Sequence, residues 1–165
     1  KGPSYIRIGK KGEPTLHDNL STRTSRVGPF HFRGRIEAPQ VVLIGCGPIV
    51  VEALKAQEEI ELSGVGCMTL SVPHVSALSQ ESIWSADLVP RVVCVIEEHG
   101  SIGGLYSMLK DDLRKVENDH GASILSINTG HQFHTGLGSR NEALEHLGMD
   151  SKAIAAAVFR ALEGG

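Results

Sequence analysis

The chain has 165 residues, of which 41% are apolar, 21% charged and 4% aromatic, and its formal net charge is −3. This length suffices for one domain with a buried core, and the sparse basic and aromatic residues argue against a nucleic-acid-binding surface. No apolar run reaches membrane-spanning length, so we expect no membrane segment.

Charge is unevenly distributed along the chain. Residues 1–35 contain eight Lys and Arg but two acidic residues, whereas the remaining 130 contain eight basic and 17 acidic residues. The basic segment is either a solvated arm or a surface that faces an anionic ligand or an acidic neighbouring domain. The three cysteines form no C-x-x-C pair, which indicates a reducing compartment, and we expect a cytoplasmic protein.

The first part of the chain predicts short strands around a linker. Residues 1–9 predict a strand, residues 10–29 a polar linker, and residues 30–36 an alternating strand. Residues 41–44 are an apolar run, mostly β-branched, that predicts a buried strand.

A helix is expected between Pro48 and Gly64, because proline favours the first helical turn and glycine a helix end. Its apolar face is expected to contain Ile49, Ala53, Ala56 and Ile60.

The second half of the chain continues the alternation of strands and helices. It predicts strands at residues 67–72, 92–96 and 124–127, and helices that begin near residues 79, 105, 142 and 151. This order implies an α/β fold with a mostly parallel sheet covered on both faces.

The most informative stretch is the buried strand at residues 92–96, because it runs into Glu97, Glu98 and His99 and then a glycine-rich loop. Polar groups at the carboxyl end of a central strand are typical of functional sites in open α/β sheets. Adjacent residues of a strand point to opposite faces, so at most two of the three share a site. The group is either an acid–base centre or a hydrogen-bonded structural cluster.

A second candidate is the turn Gly45-Cys46-Gly47, which lies between a strand and a helix. It resembles a dinucleotide fingerprint, but Val50 occupies the position of the third glycine. The alternative is a tight turn whose helix amino terminus attracts a lone anion. Cys46 is a possible nucleophile there, whereas Cys67 and Cys94 lie within strands and are expected to be inert.

His131 and His134 form a third candidate. A zinc site needs three or four ligands, and no spaced acid or cysteine pair completes one, so we predict no metal site. An exposed or interface loop is the simpler interpretation, and the histidines could also hydrogen-bond a substrate oxygen or transfer a proton.

These features together resemble the C-terminal domain of transketolase. The hallmark of that family is a strand that runs into Glu-Glu-His, a few further residues and Gly-Gly-Leu, as residues 97–105 do. Residues 43–47 resemble the strand and turn before the first helix of this domain, and residues 138–150 resemble its ending. Residues 1–10 resemble the last strand of the preceding, pyrimidine-binding domain.

The resemblance implies a three-layer α/β/α fold with a five-stranded, mostly parallel sheet, in which the strand at residues 30–36 is antiparallel. It implies that residues 1–29 are the tail of the pyrimidine-binding domain plus a linker, and that residues 30–165 are the C-terminal domain. The family's enzymes are dimeric transferases that use thiamine diphosphate and magnesium to move a two-carbon ketol unit between phosphosugars.

The same resemblance implies that this chain alone is inactive. It contains no Gly-Asp-Gly-type metal–diphosphate site, and the family's catalytic glutamate belongs to the preceding domain. We therefore expect no catalytic residue and no bound cofactor here, with both supplied by the N-terminal and pyrimidine-binding domains, in the same or a separate chain. Lys10 falls where the family often has an arginine that grips the substrate phosphate, and as a point charge it is expected to bind weakly.

Within this resemblance, Glu97, Glu98 and His99 mark a domain or subunit interface, and Gly103 and Gly104 allow the loop and helix to pack closely. The loop of His131 departs from the family, whose members more often have an aspartate near that position.

Two other assignments stay open. The C-terminal domain of 1-deoxy-xylulose-5-phosphate synthase ends with a motif similar to residues 138–142, but usually has asparagine at the position of His99. The chain could also be a stand-alone module that binds a regulatory anion at Gly45–Gly47 or mediates dimerisation.

Overall fold

In a computed structural model, the described residues are 3, 25–27, 30–33, 38–73, 75, 88–131, 134–135 and 138–164. The strands among them are β1 (Ser25–Val27), β2 (Phe30–Arg33), β3 (Val41–Gly45), β4 (Cys67–Ser71), β5 (Val92–Glu97) and β6 (Ser123–Asn128). The helices are α1 (Val50–Leu62), preceded by a 3-10 turn at Gly47–Ile49, α2 (Leu105–His120), α3 (Arg140–His146) and α4 (Ser151–Gly164).

The described strands form one mixed sheet in the order β1-β2-β4-β3-β5-β6. Strands β3, β4, β5 and β6 are parallel, and β2 is antiparallel to both β1 and β4. Six strands of this sheet lie within the described residues, against the five expected, because the segment predicted as a linker, residues 10–29, contains β1. That strand is three residues long with Val27 as its single apolar residue, so no alternation reveals it.

The apolar runs of the sequence correspond to the central strands. Every residue of β3, β4 and β5 is buried, as expected of parallel strands covered on both faces. Strand β6 is only partly buried because it lies at the end of the described sheet.

The sheet separates two apolar layers, which gives the predicted α/β architecture with helices on both faces. Val42 and Ile44 of β3 pack with the buried face of α2. Val41 and Leu43 point the other way and pack with α1 and α4. The period of two within each strand thus assigns alternate residues to the two layers.

A buried acid, which apolar spacing alone does not reveal, joins α1 to α4. Glu52 is 7% exposed, and its Oε2 accepts a hydrogen bond of 3.1 Å from the backbone N–H of Ser151. Its Oε1 accepts one of 2.7 Å from Lys55 Nζ. Asp150 caps α4 by accepting a hydrogen bond of 3.0 Å from the N–H of Ala153. Two amides at the amino terminus of α4 therefore have carboxylate partners.

Part of the sequence interpretation lies outside the described residues. This holds for the strand predicted at residues 1–9 and the helix predicted near residue 79. Within the described ranges, no helix is long and apolar enough to cross a bilayer.

We expect Glu52→Ala to lower the free energy of unfolding by about 1–2 kcal/mol, because it removes a buried carboxylate that accepts a hydrogen bond from the amino terminus of α4. Lys55→Ala is the matched control, since the Lys55 side chain is 57% exposed and its loss should cost less than about 0.5 kcal/mol. Urea unfolding followed by circular dichroism measures both. Equal losses for the two variants would contradict the capping role.

Candidate functional site

The candidate site lies where parallel strands end. Gly45 of β3 is in register with Ile96 of β5, and Ile96 is in register with Ile127 of β6. The loops that follow these strands therefore meet at the carboxyl edge of the sheet, where α/β folds commonly bind ligands.

Glu97, the last residue of β5, binds the amino terminus of the next helix. Its side chain is 4% exposed. Its Oε2 accepts from the N–H of Leu105 at 2.5 Å, and its Oε1 accepts from the N–H of Tyr106 at 3.1 Å. Both carboxylate oxygens thus have partners among the N–H groups that a helix leaves unsatisfied, and the negative charge complements the helix dipole.

Gly104 makes this contact possible. A Cβ atom built on Gly104 would overlap the Glu97 carboxylate. Gly103 has a φ of +79°, a conformation that side chains rarely adopt. The Gly-Gly pair is therefore required by close approach at one position and by backbone conformation at the other.

Glu98 points to a different partner. Its Oε1 accepts from Arg140 Nε at 2.8 Å and lies 2.7 Å from Arg140 Nη2, so β5 is tied to the start of α3. The sequence interpretation missed Arg140. The signal was available, because Ser139 and Glu142 form a capping box that places Arg140 in the first turn of a helix.

The capping box also changes the ionisation of Glu142. The N–H and hydroxyl of Ser139 donate to Glu142, which lowers the pKa of that carboxyl. The folded state therefore favours ionised Glu142. This contribution to stability is present at neutral pH and is lost as the pH falls through the lowered pKa.

His99 is exposed, and its Nδ1 lies 2.9 Å from the carbonyl oxygen of Gly100. Its own carbonyl accepts from the N–H of Thr129 at 3.0 Å. A Cβ on Gly100 would lie 3.1 Å from the carbonyl oxygen of Gly130. The loops after β5 and β6 are thus in backbone contact, with the His99 ring at their surface.

The two loop histidines have different partners within the same pair of loops. His131 Nε2 shares a hydrogen bond with Ser101 Oγ, and His134 Nε2 donates to the carbonyl of Thr129 at 2.7 Å. His131 therefore links the β6 loop to the glycine loop. His134 bonds within its own loop. The two histidines thus have separate hydrogen-bond partners.

The turn Gly45-Cys46-Gly47 lies beside this loop pair, because β3 and β5 are neighbours. Gly47 has a φ of +75°, a conformation that favours glycine, and a Cβ on Gly45 would make a tight contact of 3.1 Å with Cγ2 of Val50. Cys46 precedes the first helical turn without a side-chain hydrogen bond that caps it. The turn exposes a helix start but supplies no charged side chain of its own.

The two acids of the site have partners within this domain. Glu97 is buried with both oxygens bonded, and Glu98 is paired with Arg140. In the part of the chain that the structure describes, no group of three or more His, Cys, Asp or Glu side chains could hold a metal ion. Lys10, the expected phosphate contact, lies outside the described residues.

We expect Gly104→Ala to destabilise the domain by about 1–3 kcal/mol, because the added methyl group displaces a buried carboxylate. Gly164→Ala is the matched control, since a Cβ there meets nothing within 4 Å. Chemical denaturation of Gly104→Ala, Glu97→Ala and the double variant tests the cause. The double variant should lose less than the sum of the single losses, and simple additivity would contradict the clash.

We expect a thiol reagent at neutral pH to label Cys46 in the folded chain before Cys67 and Cys94. Burial raises the pKa of Cys67 to about 12 and that of Cys94 to about 12, so neither forms a thiolate readily. Cys46 is only half-buried. Cys46→Ser should abolish the fast phase and Cys67→Ser should preserve it, as judged by peptide mass spectrometry. Fast labelling of Cys94 would contradict this assignment.

Comparison with known proteins identifies relatives that are named as parts of transketolases. The chain is 24% identical over 165 residues to a putative transketolase C-terminal section from Methanocaldococcus jannaschii. The alignment covers 99% of this chain and 49% of the relative. It is 26% identical over 156 residues to one of the subunits of apulose-4-phosphate transketolase from Actinobacillus succinogenes, covering 93% of this chain and 47% of that subunit. It thus spans about half the length of these relatives.

A shorter match links the chain to a second enzyme class. It is 28% identical over 119 residues to 1-deoxy-D-xylulose-5-phosphate synthase of Kocuria rhizophila, covering 72% of this chain and 17% of that enzyme.

Among solved structures, a split-gene transketolase described as an inactive beta4 tetramer matches with a TM-score of 0.60 and 23% identity, covering 84% of this chain and 43% of that one. This likeness shows the fold.

The match to a family profile covers the four parallel strands, helices α1 to α3 and the site. The family described as "Transketolase, C-terminal domain" matches residues 33–154, which is most of the chain and includes the Glu97–Gly104 loop. The chain therefore belongs to the transketolase C-terminal domain family.

Proposed function

We propose that this chain is the C-terminal part of a transketolase-like transferase that moves a two-carbon ketol unit between phosphosugars. In this proposal the chain does no chemistry itself. It binds the N-terminal and pyrimidine-binding domains, in the same or a separate chain, and the assembled enzyme is a homodimer of the whole unit. The relatives named as a C-terminal section and as a transketolase subunit support this division of labour.

The observation that carries the proposal is how the acidic motif is used. An acid–base pair needs a group that reaches substrate and exchanges a proton. Glu97 instead uses both oxygens on backbone N–H groups of α2, and Glu98 uses Oε1 on Arg140. The motif therefore sets the shape of a loop, which supports an interface role over catalysis.

Exposed apolar side chains beside that loop support a contact with another domain. Ile102 is 75% exposed and Met108 is 47% exposed, although they lie on either side of buried Leu105. Apolar side chains that cluster at a surface are typical of interaction sites. We call the three exposed residues of this stretch, His99, Ile102 and Met108, the assembly patch.

Thiamine diphosphate and magnesium belong to the other domains in this proposal. The described residues offer no carboxylate cluster for a metal, and the whole sequence lacks the Gly-Asp-Gly pattern. We therefore assign no step of cofactor chemistry to residues of this chain. In the same proposal, residues 1–29 are the tail of the pyrimidine-binding domain with a linker, and Lys10 is a weak contact for the substrate phosphate.

Deoxyxylulose-phosphate synthase is the second candidate. Its support from residues 138–142 weakens in the structure, because Ser139 and Glu142 form a capping box, which many unrelated helices use. The transketolase-type relative also aligns with 99% of this chain, against 72% for the synthase. We therefore favour a transketolase-like partner.

The test is reconstitution with the thiamine-binding portion encoded with this chain. We expect thiamine-dependent ketol transfer from a ketose phosphate only when both parts are present. His99→Ala and Ile102→Ser should each raise the Kd between the two parts about tenfold. The kcat measured with a saturating concentration of this chain should stay unchanged. Leu62→Ser is the matched control, because Leu62 is 89% exposed at the end of α1, outside the assembly patch.

Titration of one part against the other, read by activity, separates affinity from turnover. Unchanged affinity with a collapsed kcat in His99→Ala would overturn the interface assignment. Absence of ketol transfer by the assembled wild-type parts, with formation of deoxyxylulose phosphate instead, would establish the second candidate.

A further inference from the structure

We infer that β6 is an interface strand on which a second copy of this chain pairs, forming one continuous antiparallel junction between the two sheets. This inference goes beyond the assembly patch, because it names a pairing surface between two copies of this chain. It rests on the pairing, the composition and the symmetry of β6.

The outer side of β6 presents unpaired backbone groups within the described structure. In that part of the chain, β6 pairs with β5 and with no other strand. The N–H of Ser123 donates to the carbonyl of Arg91, and the N–H of Thr129 donates to that of His99. Because alternate residues of a parallel strand bond to the same neighbour, Ile124, Ser126 and Asn128 direct their N–H and C=O groups outward.

The sequence of β6 carries none of the usual features that protect a sheet edge. It reads Ser-Ile-Leu-Ser-Ile-Asn, without a charge, a proline or a glycine. Natural edges are usually short, charged or bent, because an unprotected edge templates pairing with another chain. The opposite end of the described sheet fits that rule, since β1 has three residues and includes Arg26.

Symmetry selects a second copy as the occupant. In an antiparallel pair about a two-fold axis at Ser126, the outward residues meet as hydrogen-bonded pairs, Ser126 with Ser126 and Ile124 with Asn128. The same register sets Leu125 against Ile127 of the other copy, once on each side of the axis. One register therefore pairs the outward backbone groups and also brings the apolar side chains of the two copies together. No like charges oppose each other in this register.

The flanking layers support the same occupant. Leu125 and Ile127 are only partly buried where they pack against the layer of α1 and α4, and Phe159 and Leu162 of α4 are partly buried in that layer. Ile124 is partly buried on the other face. A second sheet joined at β6 would extend both apolar layers and cover these side chains.

The test uses charge at the predicted two-fold axis. Ser126 is exposed, so Ser126→Lys and Ser126→Glu should fold, yet each sets two like charges against each other across the axis. Sedimentation velocity of the whole chain over a concentration series should show a wild-type dimer, and each variant should associate at least about tenfold more weakly. An equimolar mixture of the two variants should recover association.

Leu62→Lys is the matched control, because it adds the same charge at an exposed position on α1 and should leave the dimer intact. Hydrogen exchange gives an independent readout. Amides of Ile124, Ser126 and Asn128 should gain protection as the concentration rises, while those of Leu125 and Ile127 stay protected throughout. A chain that stays monomeric, or a dimer indifferent to both substitutions at Ser126, would overturn the inference.

Discussion

The structure depends on one buried carboxylate at the amino terminus of a helix. Glu97 ends the central strand β5 and accepts hydrogen bonds from the N–H groups of Leu105 and Tyr106. A charge removed from water is stable only with such partners, and the chain supplies them by returning to the strand end eight residues later. Gly104 follows from this constraint, because any side chain there would meet the carboxylate. The glycine-rich loop is therefore a short route that lets a strand bind its own following helix.

Much of the fold could be predicted from the sequence, because parallel strands and amphipathic helices leave periodic apolar signals. The runs at residues 41–44 and 92–96 are buried strands, and Ile49, Ala53, Ala56 and Ile60 are buried in the core as predicted. Hydrogen bonds between polar groups were harder to predict from the sequence. Glu52 binds a backbone amide 99 residues away, and no local pattern specifies such a partner. The three-residue β1 depends on pairing with β2 rather than on its own composition.

The site shows the same division between local and distant information. The motif Glu97-Glu98-His99 was recognisable, but its interpretation as an acid–base group needed the partners of each side chain. Arg140 was missed although the capping box before it is written locally in the sequence. Glu97 at the end of β5 and Glu98 just after it send their side chains to different surroundings, so the first acid is buried against α2 and the second is paired with α3. Both acids of the family motif thus have hydrogen-bond partners within this domain, whereas the His99 ring lies at the surface.

The central claim is that the loop after β5 is an assembly surface for a catalytic portion located elsewhere. Hydrogen–deuterium exchange of this chain, alone and mixed with the thiamine-binding portion, tests it most directly. We predict that peptides covering residues 98–108 gain protection on mixing, while peptides from the carboxyl end of α1 do not change. Protection confined to other surfaces, with the glycine loop exchanging as in the isolated chain, would contradict it.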